Sequence, residues 1–149
     1  MQKVLIDTDV ILDFFFDRKP FSDDAAQVLA LCETEKITGF VTSVIISNVY
    51  YLLRQTATHE RVVEKLKQLL SITEVLITDK KIVLKALNSN FKDFEDALQN
   101  FSAEISGEVD VIITRNIKEK KNSSLGVLTP GSFIKTYNIS KRMKSFGLH

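Results

Sequence analysis

LIDTD (residues 5–9) and VDVIITRN (residues 109–116), near opposite ends of the chain, each predict an apolar strand that ends in polar and acidic residues. In open parallel α/β sheets the carboxyl ends of the strands meet along one crevice, where ligands bind. A third acidic cluster, DFED (residues 93–96), precedes the second stretch. Three acidic clusters that meet at one edge of a sheet predict a divalent-metal site suited to phosphate chemistry.

The composition predicts a single globular domain in a reducing compartment. The chain has 149 residues, of which 44% are hydrophobic, and its 20 basic and 19 acidic residues give a net charge of +1. This balance excludes a strongly basic nucleic-acid binder but leaves room for a local basic patch. The single cysteine, Cys32, excludes an internal disulfide. Because no signal peptide and no membrane-spanning run is visible, we expect a cytoplasmic protein.

Strand and helix patterns alternate along the chain. The apolar runs predict strands at residues 3–6, 39–42, 74–77, 110–114 and 125–128. The 3.6-residue periodicity predicts helices at residues 22–36, 44–55, 58–70, 79–87, 93–105 and 131–137, with a helical or irregular segment at 10–16. This alternation predicts a parallel sheet that is covered on both faces. The second and third of these helices have no strand between them and predict a helical hairpin.

Caps and breakers set the expected ends of the helices. Ser22 is expected to be the N-cap of the first long helix, and either Thr42 or the serine after it caps the next. Gly107 is expected to end the helix at 93–105. Thr129 followed by proline begins a short last helix. The final residues are basic and read as a frayed tail, so we expect one domain over residues 1–139 and a basic C-terminal tail over 140–149.

Asp7 and Asp96 are the strongest candidates for metal ligands. Asp7 directly follows the first strand, and Asp9 shares its face if the chain stays extended. The alternative is that both acids only terminate the strand. Asp96 lies at the edge of an apolar stripe, where a carboxylate is costly unless it is paired or bound to a metal. Asp93 lies on the same helical face and is expected to support the site or to stabilise the start of the helix.

The end of the strand at 110–114 offers further polar groups. Thr114 and Asn116 are expected to orient a metal-bound water or a phosphate oxygen, and Glu119 to supply another carboxylate. The alternative is an ordinary turn followed by a solvated loop at 118–121. Asp110 begins this strand, so it is expected at the opposite edge of the sheet with a structural role.

Two further groups of polar residues call for explanation. Asn48 lies in the middle of an apolar helix, which indicates a buried hydrogen bond or a contact to the site. Several basic side chains are candidates for contact with a phosphate backbone: Arg18, Arg54, Arg115, Lys118, Lys120 and Lys121. Those between 115 and 121 are of most interest because they adjoin the predicted site.

Four segments, LIDTDVILD (5–13), FEDALQ (94–99), DVIITRN (110–116) and LGVLTPGSF (125–133), resemble the PIN domain family over nearly the whole chain. The resemblance implies a three-layer α/β/α PIN-like fold with a central parallel sheet of about five strands. It also implies a Mg²⁺- or Mn²⁺-dependent endoribonuclease. Such proteins are often toxins of type II toxin–antitoxin pairs that a cognate antitoxin protein holds inactive, and the resemblance also implies a homodimer.

The resemblance also assigns roles to residues. Asp7, Asp96 and Asn116 match the family's catalytic positions, and the implied metal ligands are Asp7, Asp96 and Glu119. From their own positions in the sequence, Asp9, Asn48, Asp93 and Thr114 are candidate accessory residues, and Arg115 and Lys118 are candidate RNA-binding residues. Toxins of this family carry a glutamate in the helix after the second strand, where this chain has only Asn48. A neutral amide is a weaker ligand for a hard cation than a carboxylate, so this departure predicts weaker metal binding.

Two other functions are open at this level. One is a non-catalytic PIN-fold module that binds RNA or a protein, which the missing helical acid favours. The other is a haloacid-dehalogenase-type phosphatase, because Asp7-Thr8-Asp9 is similar to the Asp-x-Asp nucleophile motif. That family usually continues with Gly-Thr, whereas Val10 and Ile11 stand here.

Overall fold

A five-stranded parallel sheet forms the centre of the computed structural model, which describes residues 1–147. The strands are β1 (Gln2–Ile6), β2 (Ile37–Thr42), β3 (Thr73–Leu76), β4 (Val111–Ile113) and β5 (Gly126–Leu128). The helices are α1 (Thr8–Phe15), α2 (Ser22–Glu33), α3 (Ser43–Leu53), α4 (His59–Ser71), α5 (Lys80–Leu87), α6 (Phe94–Ser106) and α7 (Pro130–Ser145). A short 3₁₀ helix (Ile117–Lys120) lies between β4 and β5. Helices flank the sheet, which confirms the predicted PIN-like α/β/α architecture.

The order of the strands places the predicted site at the centre of the sheet. The order is β3-β2-β1-β4-β5, and every pair is parallel. The connections therefore reverse direction between β1 and β4, and ligands of open α/β sheets bind at such a reversal. Ile6 pairs with Ile113, so the next residues, Asp7 and Thr114, lie side by side at the carboxyl edge.

Burial explains why the two central strands end where they do. Val4, Leu5 and Ile6 of β1 have no exposed surface, and the same holds for Ile112 and Ile113 of β4. A strand that is buried on both faces reads as a continuous apolar run, and each run ends where the chain reaches the edge of the core. The first polar residue after each strand is thereby held at the rim of the sheet.

A second, smaller core supports the helix that carries Asp96. Buried side chains of α5 and α6 pack together in this cluster, which consists of Ile82, Ala86, Ala97 and Leu98. Asp93 is the N-cap of α6, and its side chain accepts a hydrogen bond from the backbone N–H of Asp96. The start of α6 is therefore fixed both by apolar packing and by a local cap.

Most of the predicted elements are confirmed. All five strands are present within one or two residues of their predicted bounds, and α3 and α4 form the predicted helical pair without a strand between them. The Thr42 hydroxyl caps α3 by accepting from the N–H of Ile45. Gly107 ends α6 in the left-handed conformation with φ of 67°, a backbone region that favours glycine. Thr129 caps α7, and Pro130 is its first residue.

Two predictions about helix ends are wrong. Ser22 is the first residue of α2 rather than its cap, and the N-cap position is taken by Phe21, whose apolar side chain makes no capping hydrogen bond. The last helix is not short, since α7 continues to Ser145. Basic residues in its last turn interact favourably with the negative end of the helix dipole and so stabilise the helix there. Residues 141–145 are therefore helical rather than frayed, and residues 148–149 of the predicted tail lie outside the described residues. The division into a domain and a tail at 139/140 stays a prediction.

Within residues 1–147, no helix combines the length and the apolar character needed to cross a membrane.

Candidate functional site

The carboxyl ends of β1 and β4 open into a depression with a volume of about 500 Å³. Its lining consists of Asp7, Thr8, Asp9, Leu12, Arg18, Asn48, Tyr51, Leu52, Asp93, Glu95, Asp96, Gln99, Asn116 and Glu119. Six of these side chains are carboxylates and one is an arginine. We refer to this feature as the acidic depression. Such a surface repels a phosphate group unless cations offset its charge.

Asp7 is held rigidly at the end of β1. Its Oδ1 accepts a hydrogen bond from the N–H of Thr8 at 2.7 Å, as the N-cap of α1. Its Oδ2 accepts from the Thr114 hydroxyl at 2.8 Å. The residue is only 6% exposed. The start of α1 favours a negative charge there, so the two central strands together orient one buried carboxylate toward the depression.

Asp9 lies in the first turn of α1, so the condition under which it would share a strand face with Asp7, an extended chain over residues 7–9, is not met. Its Oδ2 accepts from the N–H of Arg115 at 3.1 Å, and its Oδ1 is buried without a hydrogen-bond partner among the described residues. Burial, reinforced by the charge of Asp7, raises the pKa of Asp9 to about 6. Both acids nevertheless line the depression, Asp7 from the N-cap position of α1 and Asp9 from its first turn.

Asp96 lies in the first turn of α6 and is 9% exposed. Burial raises the pKa of Asp96, and the neighbouring Lys120 ammonium opposes that shift. The sequence indicated that a carboxylate at this position is costly unless it is paired or bound to a metal, and Lys120 of the same chain is its partner.

Lys120 is the partner that the sequence did not reveal. Its side chain has no exposed surface, and its Nζ contacts the carboxylate of Asp96, lies 3.6 Å from Oδ2 of Asp7 and donates to Oε1 of Gln99 at 3.2 Å. Its burial contradicts the solvated loop that was one alternative for residues 118–121, and it leaves no exposed ammonium for the other alternative, contact with a phosphate backbone. Gln99 follows Asp96 by three residues on one face of α6, a spacing that indicates paired contacts but does not identify the partner.

The segment after β4 delivers two more of the predicted residues. Asn116 precedes the 3₁₀ helix, and its N–H donates to the Thr114 hydroxyl at 3.0 Å. The side chains of Asn116 and Glu119 are exposed and line the acidic depression. Lys118 lines a separate depression, together with Ile117 and Lys121. The proximity of Asn116 and Glu119 to the carboxylates agrees with their predicted roles, which stay predictions.

Asn48, for which the sequence left open a buried hydrogen bond or a contact to the site, makes a hydrogen bond at the rim of the acidic depression. Its Nδ2 donates to Oε2 of Glu95 at 2.9 Å, and both residues line the acidic depression. The sequence reasoning used Glu95 only as a member of the acidic cluster at 93–96. The amide on α3 therefore orients a carboxylate from α6, at the place where the chain lacks the family's helical glutamate.

Arg115 is engaged inside the fold. Its Nε and a terminal nitrogen donate to the two oxygens of Asp13 at 2.6 and 3.1 Å, and its guanidinium lies 4.1 Å from the centre of the Phe21 ring. Asp13 also lies 3.5 Å from a guanidinium nitrogen of Arg18, and its side chain is 1% exposed. These contacts of Asp13 were not predicted from the sequence, although an acidic residue inside the apolar run at residues 10–16 was a signal for them. Binding of RNA by Arg115 stays a prediction.

The arrangement does not fit a divalent ion as folded, although oxygen donors suit a hard cation. Within residues 1–147, no group of three or more histidine, cysteine, aspartate or glutamate side chains is placed to hold a metal ion. The Lys120 ammonium already lies between Asp7 and Asp96, the two ligands that the sequence favoured most.

Comparison with known proteins identifies relatives over nearly the full length. The chain is 29% identical over 142 residues to Ribonuclease VapC1 of Aquifex aeolicus (strain VF5), which covers 92% of this chain and 96% of that protein.

Solved structures show the same fold. A toxin–antitoxin complex from Klebsiella pneumoniae superposes with a TM-score of 0.64 at 22% identity and covers 85% of this chain and 97% of its own. VapBC-1 from nontypeable Haemophilus influenzae superposes with a TM-score of 0.63 at 15% identity and covers 87% and 99%.

A family model described as PIN domain matches residues 3–118. The match contains β1 through the start of the 3₁₀ helix, and with them Asp7, Asp96 and Asn116. It favours the PIN interpretation of Asp7-Thr8-Asp9 over the haloacid-dehalogenase interpretation. The chain belongs to the PIN domain family.

Proposed function

We propose that the protein is an endoribonuclease that cleaves RNA phosphodiester bonds at the acidic depression, and that it is the toxin of a type II toxin–antitoxin pair. One observation carries the proposal: a PIN domain holds two buried carboxylates, Asp7 and Asp96, beside the point where its sheet reverses direction. The relative from Aquifex aeolicus is named a ribonuclease, and the Klebsiella pneumoniae structure is a toxin–antitoxin complex. Both support the proposal.

The residues have distinct proposed roles. Asp7, Asp96 and Asn116 act at the scissile phosphate. Thr114 and the first turn of α1 keep the Asp7 carboxylate in one orientation, because both of its oxygens accept hydrogen bonds. Tyr51 lines the depression with 68% of its surface exposed, which suits stacking of an RNA base.

The proposal includes partners and a compartment. RNA is the substrate, an antitoxin protein is the inhibitor, and a homodimer is the expected form, with cytoplasm as the compartment. The toxin–antitoxin complexes among the structural relatives support a protein partner for this chain. The single, buried Cys32 agrees with a reducing compartment.

Mg²⁺ or Mn²⁺ is the proposed cofactor, with Asp7, Asp96 and Glu119 as the proposed ligands. All three line the depression, and its six carboxylates require counter-ions before a phosphate can approach. Because the Lys120 ammonium lies between the first two as folded, a divalent ion could take these ligands only after the lysine moves away, and no step of the proposed chemistry is assigned to the ion.

An RNA cleavage assay with matched variants tests the proposal. Asp7→Asn keeps the shape of the side chain and removes its charge, so we expect cleavage to fall by at least about 100-fold. Asp110→Asn is the control, because Asp110 lies at the opposite edge of the sheet, where it accepts from the N–H of Lys3. Each protein is assayed with Mg²⁺, with Mn²⁺ and with EDTA. Equal cleavage by wild type and Asp7→Asn contradicts the proposed site.

A second candidate function is a non-catalytic module that binds RNA or a protein. The observation that favours it is the Lys120 ammonium, which offsets the charge of the two central carboxylates without any metal. This function predicts that RNA is bound but not cleaved, whichever ion is present. An electrophoretic mobility assay run beside the cleavage assay separates the two functions.

A further inference from the structure

Lys120 is among the largest fully buried side chains of the protein, and the proposed function does not use it. A buried ammonium is strongly unfavourable unless carboxylates and hydrogen-bond acceptors replace the water that it loses. The fold supplies these acceptors from the end of β1 and from α6. Lys120 is therefore an integral part of the site and not a surface charge.

The contacts of Lys120 are all made inside the fold. Its ammonium donates hydrogen bonds to Asp96 and Gln99 and forms an ion pair with Oδ2 of Asp7 at 3.6 Å. Because the side chain has no exposed surface, the ammonium does not reach solvent. The side chain therefore serves the carboxylates and does not itself touch a ligand in the depression.

We propose that Lys120 is the resident cation of the site: its ammonium occupies the position between Asp7 and Asp96 that a divalent ion would need, and the two exclude each other. Two positive charges within about 4 Å repel strongly in a partly buried site. A divalent ion can reach both carboxylates only after the lysine leaves. Lys120 thereby sets the affinity of this site for metals.

The local structure holds the lysine in place. The 3₁₀ helix begins shortly after β4, where the N–H of Asn116 donates to the Thr114 hydroxyl, which itself donates to Asp7. The N–H of Glu119 donates to the carbonyl of Asn116 at 3.2 Å. Withdrawal of the ammonium therefore requires either a large rotation of its side chain or a shift of the whole 3₁₀ segment.

The inference concerns the site of the proposed function but does not require that RNA is cleaved. Its test therefore reads metal binding and unfolding, while RNA cleavage tests the proposed function separately. The two proposals can therefore fail independently. A nuclease in which the lysine moves aside would cleave RNA but would not show the expected difference in Mn²⁺ binding. A binding module in which the lysine stays in place would show that difference without cleaving RNA.

The test compares wild type with Lys120→Met, which keeps the length of the side chain and removes its charge. Lys118→Met is the matched control, because Lys118 lies in the same 3₁₀ helix with an exposed side chain. Binding of Mn²⁺ is followed at pH 7.5 by electron paramagnetic resonance of the free ion, and thermal unfolding is measured with and without Mn²⁺. We expect Lys120→Met to bind Mn²⁺ at least about tenfold more tightly than wild type and the control.

The unfolding arm has a clear expectation of its own. Mn²⁺ should raise the unfolding temperature of Lys120→Met, since the ion replaces the lost charge, and leave wild type and Lys118→Met unchanged. Equal Mn²⁺ affinity in all three proteins overturns the proposal. So does an unfolding temperature of Lys120→Met that does not respond to saturating Mn²⁺.

A second comparison decides the matter if Lys120→Met does not fold. Wild type is then compared with the Asp7→Asn/Asp96→Asn double variant in the same Mn²⁺ titration. Affinities that agree within about threefold support the proposal, because the lysine already blocks the carboxylates in wild type. Tighter binding by wild type, lost in the double variant, overturns it.

Discussion

Two clusters of oppositely charged side chains, each built on a buried carboxylate, connect the start of the chain to the segment after β4, and they differ in the sign of their surplus charge. In the first, one carboxylate, Asp13, faces the guanidinium groups of Arg115 and Arg18. In the second, two carboxylates, Asp7 and Asp96, share the single ammonium of Lys120. The first cluster has an excess of positive charge, and the second has an excess of negative charge.

This difference in charge distinguishes the first cluster, which has a structural role, from the second, which forms part of the candidate site. The two oxygens of Asp13 meet Arg115 in a two-pronged contact that fixes geometry, and Asp13 does not line the acidic depression. Asp7 and Asp96 do line it, and their combined charge exceeds what one lysine neutralises. The surplus positive charge of the first cluster lies on Arg18 and Arg115, whose side chains are 43% and 29% exposed, whereas the surplus negative charge of the second lies on nearly buried carboxylates. A fold retains a buried surplus charge mainly where function requires one, so the second cluster is the better candidate for chemistry.

The largest stability effect is expected from Asp13→Asn. The substitution leaves Arg115 and Arg18 without a buried counter-charge, and loss of one partner of a buried pair is strongly destabilising. We expect the free energy of unfolding to fall by about 3 kcal/mol, since Arg115 is partly exposed and recovers some hydration. Urea unfolding measures this change.

Asp17→Asn is the control for that measurement, because Asp17 pairs with Lys19 on the surface a few residues away. Its unfolding midpoint should match that of wild type. RNA cleavage per folded molecule should also survive Asp13→Asn, unlike Asp7→Asn. An Asp13→Asn protein that is fully stable but inactive would reverse the assignment of the two clusters.

The next largest effect is a pH dependence of the free energy of unfolding that Asp9 causes. Asp9 lies between Asp7 of the second cluster and Asp13 of the first in the sequence. Its pKa of about 6 in the folded protein is above the ordinary value of 3.8, mainly because it is buried. The folded state therefore holds this proton more tightly than the unfolded state does, and the resulting stabilisation is present below pH 3.8 and lost as the pH rises through 6.

Asp9→Asn removes this titration. Relative to wild type, the variant should gain about 2 kcal/mol in free energy of unfolding between about pH 4 and pH 6.5. Urea unfolding over this range in the presence of EDTA measures the difference between the two proteins. A difference that stays constant with pH would show that the fold does not perturb Asp9.

The sequence predicted the parts of the fold that local patterns determine. The continuous apolar runs of β1 and β4 located both the strands and their carboxyl ends, and hence Asp7. Thr42, Gly107 and Thr129 were identified from cap and terminator preferences that act over a few residues. The C-terminal end of α7 was not predicted, because the helix continues through a basic stretch whose composition resembles that of a frayed tail.

The partners of the site residues could not be predicted, because tertiary structure selects them. Lys120 lies in a run of alternating charges, and its contact to Asp96 spans 24 residues. The contact between Arg115 and Asp13 spans 102 residues. Neither local sequence distinguishes the buried charge from its exposed neighbours, so Asp7 and Asp96 were identified as candidate site residues, whereas the contacts of Lys120 and Asp13 were not predicted.

A smaller effect on stability is expected from Asp96→Asn. The amide that replaces the carboxylate still offers an oxygen to Lys120, which also keeps Asp7 and Gln99 as partners. We therefore expect a loss of about 1 kcal/mol in the free energy of unfolding, well below that of Asp13→Asn. Urea unfolding of the two variants under one condition makes the comparison. If Asp96→Asn costs as much as Asp13→Asn, the Lys120 cluster is as structural as the other.

The smallest effect is expected from the aromatic contact to the first cluster. The guanidinium of Arg115 lies over the ring of Phe21, which is 40% exposed, and such a contact contributes about 0.5–1 kcal/mol. A double-mutant cycle with Phe21→Leu and Arg115→Gln isolates this term from the loss of the Asp13 contact. We expect a coupling free energy of about 0.5–1 kcal/mol from urea unfolding of the four proteins. If the coupling is zero, Asp13 alone positions Arg115, and the first cluster needs only its charges to tie α1 to the end of β4.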